Sequence, residues 1–196
     1  EYKMLGIMSK AVEQMSEGEL LQMEKSRKLN ISEKDYYKII RKKTAALISA
    51  CCESGAVASK QCDAVCEKMK LFGEYAGMAF QIKDDLFDYE SNTNIGKPQG
   101  IDIKDKKLTL PIIYSLNSVS YSQKKRIINT IKKDYNNNEK IVELYNIVES
   151  CGGIEYSKKI MKEYHDKAID ILNEFEDNKA KNSLILLLKF IINRQK

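Results

Sequence analysis

A chain of 196 residues that is 43% hydrophobic can bury roughly 70% of the surface it exposes when unfolded, enough for one domain over residues 1–196 with one sizeable core. Its 33 basic residues against 28 acidic ones leave a formal charge of +5 spread along the sequence. With no basic block and no aromatic residues interleaved with basic ones, nucleic acid is excluded as an expected partner.

The five cysteines, at 51, 52, 62, 66 and 151, are an odd number in a chain too large to need disulfide staples. They are expected to be small buried hydrophobes in a protein of the reducing cytoplasm. No apolar run approaches the roughly 20 residues of a membrane span, so no transmembrane segment is expected. The sequence opens on Glu1 and runs directly into a helical pattern without a signal peptide, so a removed start or a larger parent protein is expected.

In chain order every periodic segment is helical, and the fold class is all-α. The first helix spans about Leu5 to Lys25. Ser32 then acts as N-cap with Asp35 three residues on, in the manner of a capping box, and opens a second helix that Ser54-Gly55 should stop near Glu53. A long helix runs from about Ser59 to Glu90, apolar nearly all round in its middle, where Gly73, Ala76, Gly77 and Ala79 let neighbours approach closely. It is expected at the centre of a bundle. Ser91 to Thr109 has no helical periodicity, and loops of that length in a compact domain are usually functional or disordered; the functional reading is favoured here. Further helices are expected from Leu110 to Leu116, Ser122 to Lys133, Glu139 to Ser150, Ile154 to Phe175 and Lys181 to Ile192.

The chemistry concentrates where the long helix ends. At about 100° per residue, Asp84, Asp85, Asp88 and Gln81 fall within one narrow face. Three carboxylates crowded there repel one another unless a divalent cation neutralises them, and magnesium suits oxygen-only ligands, completing its shell with water and phosphate oxygens. Taken alone, the cluster fits a solvated helix face as well as it fits a metal site. The apolar run before it, and the lysines after it at 97, 104, 106 and 107, favour a clamp for a metal-bridged polyanion. An amide at Gln81, on an apolar helix one turn before the carboxylates, needs a partner. Glu19 and Gln22 are expected either to support the site from a neighbouring helix or to cap a helix end, and His165 to lie on the surface.

Four stretches carry a resemblance: SEGELLQ from Ser16 to Gln22, RKKTAAL from Arg41 to Leu47, GMAFQIKDDLFD from Gly77 to Asp88, and GKPQGIDIKDKKLTLP from Gly96 to Pro111. In order and spacing they resemble the C-terminal half of a trans-prenyltransferase, the polyprenyl diphosphate synthases, with a look of the bacterial octaprenyl type. CGG from 151 to 153 and the helix after it are similar to that family's tail.

The resemblance implies the C-terminal portion of an isoprenoid-synthase-type helical bundle. It implies Mg2+ held by Asp84, Asp85 and Asp88, an allylic diphosphate bound by Lys43, Lys97 and Lys107, and Thr44 and Gln81 facing the allylic cation. The reaction implied is head-to-tail condensation with isopentenyl diphosphate, in a homodimer. The family's first aspartate-rich motif has no counterpart in this sequence and is expected upstream of Glu1, so the chain by itself is expected to be inactive. The alternative is a non-catalytic helical subunit or interaction module of a prenyltransferase complex.

Overall fold

The computed structural model describes residues 2–89 and 101–194, and among them every regular element is a helix. Helix α1 is Tyr2–Lys28 and α2 is Glu33–Ile40, which passes through a π-helical turn, Arg41–Ala45, into α3, Ala46–Ala58. Helix α4, Asp63–Leu86, ends in a 3-10 turn at Phe87–Tyr89. A single turn, α5, covers Ile101–Lys104 and is followed by α6 (Leu110–Ser118), α7 (Tyr121–Lys133), α8 (Asn138–Ser150), α9 (Gly153–Asn173) and α10 (Lys179–Asn193).

Local sequence explains most of these boundaries. The capping box opens α2: the Ser32 hydroxyl accepts from the Asp35 backbone N–H at 3.1 Å, while the Asp35 carboxylate accepts from that of Ser32 at 3.1 Å. A second box, Ser120 with Gln123, opens α7, and Pro111 sits in the first turn of α6, where its missing N–H costs nothing.

Some expectations give way. Ser54-Gly55 does not stop a helix; α3 runs on to Ala58, because an isolated glycine in a helix costs only about 1 kcal/mol and neighbouring packing outweighs it. The break comes at Lys60, whose φ of 55° no helix accommodates, so α4 begins at Asp63 and not near Ser59. Of the cysteines only Cys66 is buried; Cys51 and Cys62 are exposed and all five are free thiols. His165 is largely covered, its side chain only 12% exposed and its Nδ1 2.9 Å from Asp166 Oδ1.

Helix α4 is central, with α3 packed along one side and α9 along the other. Met78, Ala79, Ile82 and Leu86 join Leu110, Ile112 and Ile113 of α6 in the main core, which continues through α7 and α8. Phe72 and Ala76, nearer the start of α4, form a second cluster with Ala168, Leu172 and Leu188. The two clusters clamp α4 along its length and hold its C-terminal end, with the aspartates, fixed against α2 and the π-helical turn.

Candidate functional site

Two close approaches place the π-helical turn. A β-carbon on Gly18 would lie 2.7 Å from the backbone nitrogen of Lys43, and one on Gly77 would lie 2.6 Å from the Cα of Ala45. Only glycine leaves room at either position, so α1 and α4 grip the turn between them, backbone to backbone. The wider winding of that turn sits where Lys43 and Thr44 must both reach inward, in keeping with the habit of π-turns to occur at functional sites.

The turn, α2, α4 and the segment around α5 enclose a cleft of about 100 Å³ lined by Lys43, Thr44, Gln81, Asp85, Asp102 and Lys107, among others. A hydrogen-bond chain runs along its wall. The Thr44 hydroxyl donates to Gln81 Oε1 at 2.7 Å, Gln81 Nε2 donates to Asp85 Oδ1 at 3.0 Å, and the Tyr36 hydroxyl donates to Asp85 Oδ2 at 2.7 Å. The partner that the Gln81 amide required is therefore Asp85 on one side and Thr44 on the other. Burial pushes the Asp85 carboxyl up to about 7 even though Tyr36 and Gln81 both donate to it.

Charge is arranged around the rim. Lys43 Nζ sits 2.7 Å from Gln22 Oε1 and 2.7 Å from Glu19 Oε2, so both residues support the site from α1. Neither caps a helix end, because α1 runs on to Lys28. Lys107 pairs with Asp105 at 3.1 Å and Asp102 at 3.6 Å. Burial, with the charge of Asp88 adding to it, pushes the Asp102 carboxyl up to about 6.

The three aspartates of the α4 end do not converge. Asp85 points into the cleft wall. Asp88 Oδ2 accepts the backbone N–H of Asp102 at 2.9 Å. Asp84 lies outside the cleft lining and pairs with Arg194, whose guanidinium stacks 4.1 Å over Phe80 and also donates to the Phe80 carbonyl at 3.3 Å. Their narrow common face in projection becomes three separate directions, because α4 ends at Leu86 and Asp88 sits in the tighter 3-10 turn. Accordingly, among the described residues no group of three His, Cys, Asp or Glu side chains is placed to hold a metal. The donor chemistry nonetheless fits a hard divalent cation: carboxylate oxygens only, with Asp84 facing a cation in the form of Arg194.

Of the expected site residues, Lys43, Thr44, Gln81, Asp85 and Lys107 meet at one cleft, whereas Asp84 and Asp88 do not line it. Lys97 lies outside the described residues. Tyr36, Asp102, Arg194 and Gly18 were not singled out by the sequence. Tyr36 had a signal, as a tyrosine on the buried stripe of α2 with Ile39 and Ile40; the other three owe their places to tertiary contacts between distant segments.

Residues 1–148 match the family model described as polyprenyl synthetase. The octaprenyl diphosphate synthase of Escherichia coli is 32% identical over 197 residues, a stretch that covers 99% of this chain and 60% of that protein. Among solved structures, a geranylgeranyl pyrophosphate synthase from Bacteroides thetaiotaomicron superposes with a TM-score of 0.91 at 36% identity, covering 99% of this chain and 64% of that one. A polyprenyl synthase from Caulobacter crescentus, complexed with calcium and isoprenyl diphosphate, superposes with a TM-score of 0.92 at 29% identity over 100% of this chain and 60% of that one. The chain belongs to the polyprenyl synthetase family, with the family's all-α fold. It spans about 60% of the length of the relatives it matches, and among the described residues no helix is long and apolar enough to cross a membrane.

Proposed function

We propose that this chain is the C-terminal portion of a cytoplasmic polyprenyl diphosphate synthase. The full gene product would condense an allylic diphosphate with isopentenyl diphosphate, head to tail, with Mg2+. The observation that carries this reading is the Thr44–Gln81–Asp85 hydrogen-bond chain along a cleft flanked by Lys43 and Lys107. Such a cleft supplies cationic groups for a diphosphate and oriented oxygens for a carbocation, side by side in a partly dry space.

In this reading Lys43, Lys107 and Lys97 bind the diphosphate of the allylic substrate. The C–O bond to that diphosphate breaks, and the lysines stabilise the negative charge that gathers on the leaving group more than they stabilise the ground state. The Thr44 and Gln81 oxygens face the allylic cation left behind. The double bond of isopentenyl diphosphate attacks that cation, a new C–C bond forms, and a proton is lost. Asp84 and Asp88 would hold magnesium on the diphosphate, where the metal serves as a Lewis acid that neutralises the leaving group. Asp85, with both oxygens taken by donors, anchors Gln81.

Homodimerisation is part of the proposal. Leu5, Val12 and Leu20 stand exposed on one side of α1 at 65%, 58% and 67%, a row that supports a partner helix there.

The test is incorporation of radiolabelled isopentenyl diphosphate into longer prenyl diphosphates by the full-length gene product, with an allylic primer, with and without Mg2+. Magnesium-dependent elongation is expected. A folded full-length product that elongates no primer overturns the reading.

A further inference from the structure

Tyr36 is 3% exposed, and its hydroxyl donates a hydrogen bond of 2.7 Å to Asp85 Oδ2. It belongs to none of the four stretches that mark the family. Asp85 in turn receives Gln81 Nε2 on its other oxygen at 3.0 Å. With its amino end donating to Asp85, the Gln81 amide leaves its carbonyl end for Thr44 and the cleft. The orientation of the Gln81 dipole thus depends on where the Asp85 carboxylate points. What holds that carboxylate from behind is the Tyr36 hydroxyl. The tyrosine is itself rigidly set: its ring packs edge-on against Tyr37 at 5.6 Å, and the capping box fixes the start of its helix.

We propose that Tyr36 is a positioning residue for prenyl transfer, acting through Asp85 to keep the Gln81 carbonyl turned toward the cleft where the allylic cation forms. This rests on the prenyl-transfer reading above. A dipole aimed in advance at developing charge needs no reorganisation in the transition state, so its misalignment is felt in turnover and not in ground-state binding.

The experiment is a double-mutant cycle in the full-length gene product, with Tyr36→Phe, Gln81→Ala and the pair, measuring kcat, KM for both diphosphates and the melting temperature. Tyr36→Phe is expected to lower kcat at least about ten-fold with each KM within about two-fold. In the Gln81→Ala background it is expected to lower kcat no further. A purely structural tyrosine would instead lower the melting temperature while its effect on kcat adds to that of Gln81→Ala, and additivity or an unchanged kcat overturns the proposal. Should Tyr36→Phe fail to fold, Asp85→Asn replaces it in the same cycle with the same expectations. A wild-type protein without condensation activity sinks the underlying reading as well, whereas an active wild type with additive losses sinks only the role of Tyr36.

Discussion

Gly18 and Lys43 meet where no side chain fits: a β-carbon on Gly18 would stand 2.7 Å from the Lys43 backbone nitrogen. The contact joins α1 to the turn that carries Lys43 and Thr44, and Gly77 makes the matching contact at Ala45 from the other side. Because the opposing atoms are backbone, they cannot rotate away. Gly18→Ala and Gly77→Ala are each expected to cost about 1–3 kcal/mol of stability through overpacking. Urea denaturation of the purified variants measures this, and wild-type midpoints would show that the helices separate freely.

Lys43 is held between Gln22 and Glu19 with its amine 2.7 Å from each. If it binds the allylic diphosphate, Lys43→Ala in the full-length protein raises KM for the allylic substrate by about ten-fold or more, with less effect on KM for isopentenyl diphosphate. Lys43→Arg keeps the charge but not the shape and should recover part of the loss. Steady-state kinetics with each substrate varied separately decides the matter, and equal changes in both constants would argue against a selective contact.

Asp84 pairs with Arg194, and its side chain is 37% exposed. With Asp84 more than a third exposed, its pairing contributes about 0–1 kcal/mol to folding, so Asp84→Ala should lower the melting temperature by about 4 °C at most. In the full-length enzyme the same substitution should lower turnover by orders of magnitude. Differential scanning calorimetry beside a turnover assay separates the two effects, and retained turnover would remove the metal role.

The Asp35 carboxyl is held down to about 2, chiefly by its hydrogen bond from Lys25 and then by Ser32. Since the folded value lies below the unfolded one of 3.8, the group stabilises the fold fully above that value, and the contribution is lost as pH falls toward 2. With side chains 21% and 26% exposed, solvent screening limits the Lys25 share to about 1 kcal/mol. Lys25→Met is therefore expected to be less stable than wild type by that amount above about pH 5, with the gap closing between about pH 4 and pH 2. Chemical denaturation across that range reads it directly, and a gap that stays constant to low pH would contradict the assignment.

Much of the architecture was legible because it is local. The capping box at Ser32 and Asp35, the all-helical pattern, and the central place of the helix through Gly73 and Gly77 each follow from residues a few positions apart. The helix end misread at Ser54-Gly55 shows the limit, since packing of α3 against α4 outweighs one glycine's preference. At the site, the motifs identified Lys43, Thr44, Gln81, Asp85 and Lys107 as companions, and the fold gathers all five around one cleft.

What the sequence determined by itself was the helical period, the caps, and which residue types had to serve one another: an amide beside carboxylates, lysines beside acid. Only the tertiary structure decided which partner each one took. Tyr36 reaches Asp85 across 49 positions and Arg194 reaches Asp84 across 110. The three aspartates of one helix end turn three ways according to what packs against each. Direction in space is set by neighbours distant in the chain, and a helical projection carries no information about them.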